Sequence, residues 1–152
     1  MPRRLITTLL QRYWRITRAL TLGAQGMVLD ADGRVLLVRH TYRVGWFLPG
    51  GGVEKRESAA AALARELNEE TGIALTAPPE LFALYSNFAY FPGDHVALFL
   101  VRHWTQARRP QPNREIAEQR FFALEALPED ISEATRRRIG EVLLGWPRRE
   151  EW

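Results

Sequence analysis

Between Ser58 and Gly72 the chain reads Ser-Ala-Ala-Ala-Ala-Leu-Ala-Arg-Glu-Leu-Asn-Glu-Glu-Thr-Gly, a stretch that admits one local structure and sets what the rest must pack around. Alanine, leucine and glutamate lead the helix-propensity scale, Ser58 is a good N-cap, and Gly72 is a good stop. The spacing predicts a helix with Ala62, Leu63 and Leu67 turned inward. Glu66, Glu69 and Glu70 then stand at i, i+3 and i+4, on one face of its C-terminal half. Three carboxylates so placed repel one another and oppose the helix dipole, and a hard divalent cation with oxygen ligands is the simplest compensation. Just upstream, Trp46-Phe-Leu-Pro-Gly-Gly-Gly52 is an apolar step into a glycine run, where backbone can approach a ligand with no Cβ in the way.

The remainder supplies enough apolar material for one core: 152 residues, 46% hydrophobic and 11% aromatic, with nine prolines and eleven glycines scattered between periodic segments and no repeat or low-complexity linker. Residues 3–20 place Ile6, Leu9, Leu10, Tyr13, Ile16 and Leu20 on one stripe and most arginines off it, which predicts an amphipathic helix packed on its own domain or on a second copy. A helix over 1–20 and one domain over 21–152 is the expected organisation, with a homodimer contact suspected at that helix. Without cysteine there is neither a disulfide framework nor a thiolate site. The basic start lacks an uninterrupted apolar core, and no run approaches a membrane span, so a cytoplasmic location is expected.

Arginine makes up 20 of the 21 basic residues, Lys55 being the exception, yet the formal net charge is only +3. The arginines are spread along the chain instead of forming a nucleic-acid track, and the weak positive balance suits phosphate-bearing small molecules as well as RNA. Strand formers at 21–29 and 34–40 flank Asp30-Ala-Asp-Gly33 and predict a β-hairpin; 81–90 and 95–104, joined by Phe91-Pro-Gly-Asp94, predict a second. Residues 107–115 read as a loop, 119–124 as a short strand and 132–144 as a closing helix. The order of helix, strands, helix, strands, helix predicts an α+β or α/β sandwich with a mixed sheet. His40, His95 and His103 stand apart and read as satisfied strand or surface histidines. Arg136 to Arg138 read as a solvated helix face, and Trp46, Phe47 and Tyr90 as packed residues, although an aromatic beside the glycine run could stack on a nucleobase.

Gly51-x5-Glu57-x7-Arg65-Glu66-Leu67-x-Glu69-Glu70-x-Gly72-Ile73 resembles the Nudix box at every fixed position. The flanks resemble the family too, in Trp46-x-Leu48-Pro49-Gly50-Gly51 and in Arg120-Phe-Phe-Ala-Leu-Glu-Ala-Leu127-Pro, so the likeness runs from about Thr21 to Leu144. It implies a three-layer α/β/α sandwich and a Mg²⁺- or Mn²⁺-dependent hydrolase acting on a nucleoside diphosphate linked to another group. By the same resemblance the metal ligands are the Gly50 carbonyl and the carboxylates of Glu66, Glu69 and Glu70, with Glu57 assisting and Arg65 holding the carboxylates. The general base is a box glutamate such as Glu69 or an acidic residue of a later loop, with Glu115 placed ahead of Glu118 and Asp94; Glu118 is also a candidate metal-facing residue. Tyr90, downstream of the box, stands about where a tyrosine marks dinucleoside polyphosphate hydrolases, while Phe88 replaces a proline that marks many ADP-ribose pyrophosphatases. A small nucleotide is therefore the expected substrate. An RNA 5′-end pyrophosphohydrolase and a non-catalytic nucleotide sensor are the alternatives.

Overall fold

In a computed structural model the residues described are Tyr13 and 19–152, so the expected first helix, apart from Tyr13 and residues 19–20, lies outside the described residues. The strands with the longest apolar runs take the middle of the molecule. β1 (Thr21–Val28) lies between β3 (Gly50–Gly52), antiparallel to it, and β6 (Asp94–Val101), parallel to it; β6 in turn pairs antiparallel with β5 (Glu80–Ser86). β2 (Val35–His40) and β8 (Ile116–Phe122) form a second, antiparallel pair, and β4 (Ala74–Leu75) meets β7 (Trp104–Thr105). Helix α1 (Ala59–Thr71) covers one face and α2 (Glu133–Leu143) the other, giving an α/β/α sandwich with a mixed sheet.

Strand periodicity explains the two cores. Ala24 and Val28 of β1, Leu36 of β2 and Ala97, Phe99 and Val101 of β6 pack with Ala62, Leu63 and Leu67 of α1. Their alternates, Met27, Leu37, Leu98 and Leu100, pack with Trp46, Tyr85 and Ile139 on the α2 side. Both faces are buried, which is why these strands read as continuous apolar runs. Each fully buried leucine contributes roughly 1.5–3 kcal/mol, so Leu63 and Leu67 anchor α1 against the sheet. Helix α1 is capped as expected, Ser58 Oγ accepting from the Ala61 N–H and the Gly72 N–H returning to the Asn68 carbonyl.

Three expectations need correction. The segments at 21–29 and 34–40 do turn at Asp30 to Gly33, but they are not a hairpin: a lone Leu29–Val35 bridge joins them, because both edges of β1 are already taken by β3 and β6. The 81–90 strand stops at Ser86, and Tyr90 sits in the following turn, 84% exposed, rather than packed in the sheet. On α2, Arg138 is fully buried and not solvated: it donates to Glu141 at 2.8 Å and to the Glu151 carbonyl at 2.8 Å, beneath Tyr85 and Trp152. The second expected hairpin, β5 with β6, is present. No helix among the described residues is long and apolar enough to cross a membrane.

Candidate functional site

The glycine strand and the acidic end of α1 are pressed together, and two glycines make that contact possible. Gly50 has φ 139°, a conformation open to glycine, and its N–H donates to Glu70 Oε2 at 2.8 Å. A Cβ on Gly51 would stand 2.5 Å from the Glu66 carboxyl carbon. Any side chain there would push Glu66 off β3.

Arg65 organises the carboxylates around it. Its Nε and Nη2 donate to the two oxygens of Glu57 at 3.0 and 3.1 Å, Nη1 to Glu66 at 2.6 Å, and Nη2 also to the Gly52 carbonyl at 3.1 Å. Glu69 is held more loosely, 3.5 Å from Nη1, with 61% of its side chain exposed. The paired hydrogen bonds from Arg65 hold the Glu57 carboxyl below the usual range, and Glu57 and Glu66 raise the guanidinium still further.

Glu70 is different. It is buried, and burial, reinforced by the charges of Glu66 and Glu115 and opposed by the Gly50 N–H and by Arg43, pushes its pKa up to about 8. A carboxyl raised from 4.5 to about 8 keeps its proton longer when folded than when unfolded. Its contribution to stability is therefore full below about 4.5 and is lost as pH rises through about 8. Metal-free wild type is expected to lose stability relative to Glu70→Gln between pH 5 and 8.5, by on the order of a few kcal/mol. Thermal melts of the two proteins across that range check it, and parallel curves would refute it.

Glu66, Glu69 and Glu70 line one wall of a cleft of about 380 Å³, and Asn113, Arg114, Glu115 and Ile116 line the other. Glu115 sits exposed at the end of the loop before β8, its N–H bound to Asn113 Oδ1 at 2.8 Å. Glu118 lies outside this cleft and lines a neighbouring cavity that also borders on Glu70. Phe121 and Gln119 face α1, so the alternate residues Glu118, Arg120 and Phe122 face away, and the Glu118 carboxylate is held by Arg39 and Arg120. Asp94 is also remote, bound to Thr21 and Asn87 at the far turn.

Two residues escape a reading of the sequence. His40 is neither isolated nor satisfied: it is 5% exposed, neither ring nitrogen has a hydrogen-bond partner among the described residues, and it can bring a nitrogen within 4.8 Å of carboxylate oxygens of both Glu70 and Glu115. Burial, with Arg43 nearby, pushes its pKa down to about 4, so the imidazole is neutral at pH 7. Tyr42 is mostly exposed at the rim, its ring 5.0 Å from His40 and its phenol raised by partial burial and by Glu115, Glu70 and Glu66. No local signal marks either residue, because their partners are far away in sequence.

The donor set fits a divalent cation. Carboxylates converge on one cleft, Arg65 is committed to Glu57 and Glu66, and a buried polar ring lies beside them without a partner among the described residues.

The sequence model described as a NUDIX domain matches residues 19–142. A MutT-like protein of Streptomyces ambofaciens is 39% identical over 67 residues, 44% of this chain and 43% of that protein. An RNA pyrophosphohydrolase of Teredinibacter turnerae is 33% identical over 139 residues, 84% of this chain and 66% of that protein. The crystal structure of a MutT NUDIX hydrolase from Burkholderia pseudomallei is similar with a TM-score of 0.68 at 28% identity, covering 80% of this chain and 97% of that one. The first curated relatives are matched over less than half of their own length, 43%, 42% and 38%.

Proposed function

The chain belongs to the Nudix family, and from that membership we propose that it is a divalent-metal-dependent hydrolase that cleaves a phosphoanhydride in a nucleoside diphosphate linked to another group. The observation that carries this reading is the convergence of Glu66, Glu69, Glu70 and Glu115 on a single cleft beside the Gly50–Gly52 strand.

In this reading Glu66, Glu69 and Glu70, with the Gly50 carbonyl, hold Mg²⁺ or Mn²⁺. When bound, such an ion neutralises phosphate oxygens and acidifies a water molecule. Arg65 keeps Glu57 ionised and holds both Glu57 and Glu66 in place, so it is a positioning residue and not a substrate contact. Glu115, facing the helix across the cleft, takes the proton as water oxygen bonds to phosphorus and the anhydride P–O bond breaks. Glu69 is the other candidate for that proton, being the most exposed of the three helix carboxylates. Glu118 has no part in this assignment, since Arg39 and Arg120 hold it on the opposite face.

The test is release of phosphate, pyrophosphate or nucleoside monophosphate with Mg²⁺ or Mn²⁺ from a panel of nucleoside triphosphates, nucleotide sugars, ADP-ribose and dinucleoside polyphosphates. Release from at least one substrate, abolished by chelation, is the expected result; none from any would overturn the reading.

A second reading, an RNA 5′-end pyrophosphohydrolase, is favoured by one observation: the Teredinibacter turnerae protein aligns over 84% of this chain. Arg108, Arg109 and Arg114 are exposed on the loop that reaches the cleft, where an RNA backbone would need cations. Preference for a 5′-triphosphate RNA over free nucleotide, with a steep loss of RNA binding as salt rises, would select this reading.

A further inference from the structure

Strand β2 meets a bulge in β8 at its last residue. Its register against β8 runs regularly from Val35–Phe122 to Arg39–Glu118 and then skips, so that His40 pairs with Ile116. The extra residue is Ala117 of β8, so the bulge re-aims the start of β8 and brings Ile116 opposite His40. Leu36 faces α1, and by strand alternation His40 shares that face, where Glu70 lies. His40 is only 5% exposed, yet both of its ring nitrogens lack partners among the described residues. A buried polar ring left in that state costs free energy unless something fills the gap, and the candidates are an ordered water or a cation.

The surroundings favour the cation. Glu70 and Glu115 carry carboxylate oxygens within 4.8 Å of a His40 nitrogen and of each other, Glu66 lies beside them, and Arg43 is the cation felt by both His40 and Glu70. Arg43 itself stacks on Phe47, 3.7 Å from the ring centroid. A water could bridge the nitrogen and one carboxylate, but being neutral it would leave the mutual repulsion of Glu66, Glu70 and Glu115 uncompensated.

We propose that His40, Glu70 and Glu115 form a mixed imidazole and carboxylate site for a divalent cation, adding one nitrogen ligand to an otherwise all-oxygen cleft. The inference rests on the metal-dependent reading above and refines it, making Glu115 a metal ligand and leaving the water's proton to Glu69. Nitrogen donation favours Mn²⁺, Co²⁺ or Zn²⁺ over Mg²⁺, which prefers oxygen. Glu70, bound at the same time to the Gly50 N–H, joins this site to the glycine strand.

The test uses the full chain loaded with Mn²⁺ and reads electron spin echo envelope modulation, which detects a directly bound nitrogen. A ¹⁴N signal that changes to ¹⁵N on labelling the histidines is expected from wild type and from His95→Gln/His103→Gln, in which His40 is the remaining histidine. His40→Phe, which keeps a ring in place, should lose the signal and bind Mn²⁺ about tenfold more weakly, with Mg²⁺ affinity changing by less than about threefold. Bound Mn²⁺ with no nitrogen signal in wild type would overturn the site, as would a signal that vanishes in the double variant. If His40→Phe fails to fold, the wild type and the double variant still decide. Turnover on the nucleotide panel is read separately. A nitrogen signal without turnover overturns the hydrolase reading and leaves the site standing, whereas turnover without the signal does the reverse.

Discussion

Glu69→Gln is expected to lower turnover by about 10² to 10⁴ while leaving the fold intact. The side chain is 61% exposed, its contact with Arg65 is a loose 3.5 Å, and it fills no part of either core. Replacing one carboxylate oxygen by an amide nitrogen therefore removes a charge from the cleft and almost nothing from the packing, so a stability change within about 0.5 kcal/mol is expected. In the proposed mechanism the same substitution removes either a metal ligand or the proton acceptor, and the two are separable. Loss of a ligand raises the metal concentration needed for half-maximal rate, whereas loss of the base lowers kcat at saturating metal. Glu80→Gln, at the exposed start of edge strand β5, is the control and should change neither. Steady-state rates across a Mn²⁺ titration, alongside thermal melts, check all three outcomes. A Glu69→Gln protein with near-wild-type rates would remove Glu69 from the set.

The parts of this molecule legible from sequence are those whose signals are local. Helix α1 is readable because its cap, its apolar stripe and its stop all lie between Ser58 and Gly72. Strand existence is readable for β1 and β2, but their pairing is not, because β1 takes a partner far along the chain, with Thr21 opposite Asp94. Glu115 and Glu118 lie close together in sequence and are chemically identical; what separates them is the phase of β8, and that phase is set by the register with β2. His40 looks isolated in the sequence for the same reason. Glu70 and Glu115 reach it only after β2, α1 and β8 are assembled, and the bulge at Ala117 that sets the start of β8 against it has no marker in the local sequence. Arg138 is a different failure. It sits next to Ile139 and one helical turn before Val142, on the apolar stripe of α2, so its position carries a signal of burial that its charge obscures.

That arginine provides the largest expected effect on stability. Arg138→Met should destabilise the protein by about 3–5 kcal/mol. Arg138 and Glu141 both have fully buried side chains, linked at 2.8 Å, and Glu141 also accepts from the Tyr85 hydroxyl at 2.9 Å and from the Arg149 N–H at 3.1 Å. Burial pulls the Arg138 pKa below its ordinary value, while burial and the facing Glu141 push the Tyr85 phenol up, so each charge is tolerated only because the other is present. Removing the guanidinium leaves Glu141 in a dry site with the phenol, one backbone N–H and Arg137, 3.3 Å away at the edge. It also removes one tie on the 147–152 tail, whose Glu151 carbonyl Arg138 holds and whose Trp152 ring packs edge-on against Tyr85. Taking away both charges at once avoids the stranded carboxylate. Arg138→Met/Glu141→Leu should therefore cost at least about 1 kcal/mol less than the sum of its two single substitutions. Urea unfolding of the four proteins measures that coupling directly, and additive losses would show that the pair acts as two independent packing residues instead of one ion pair.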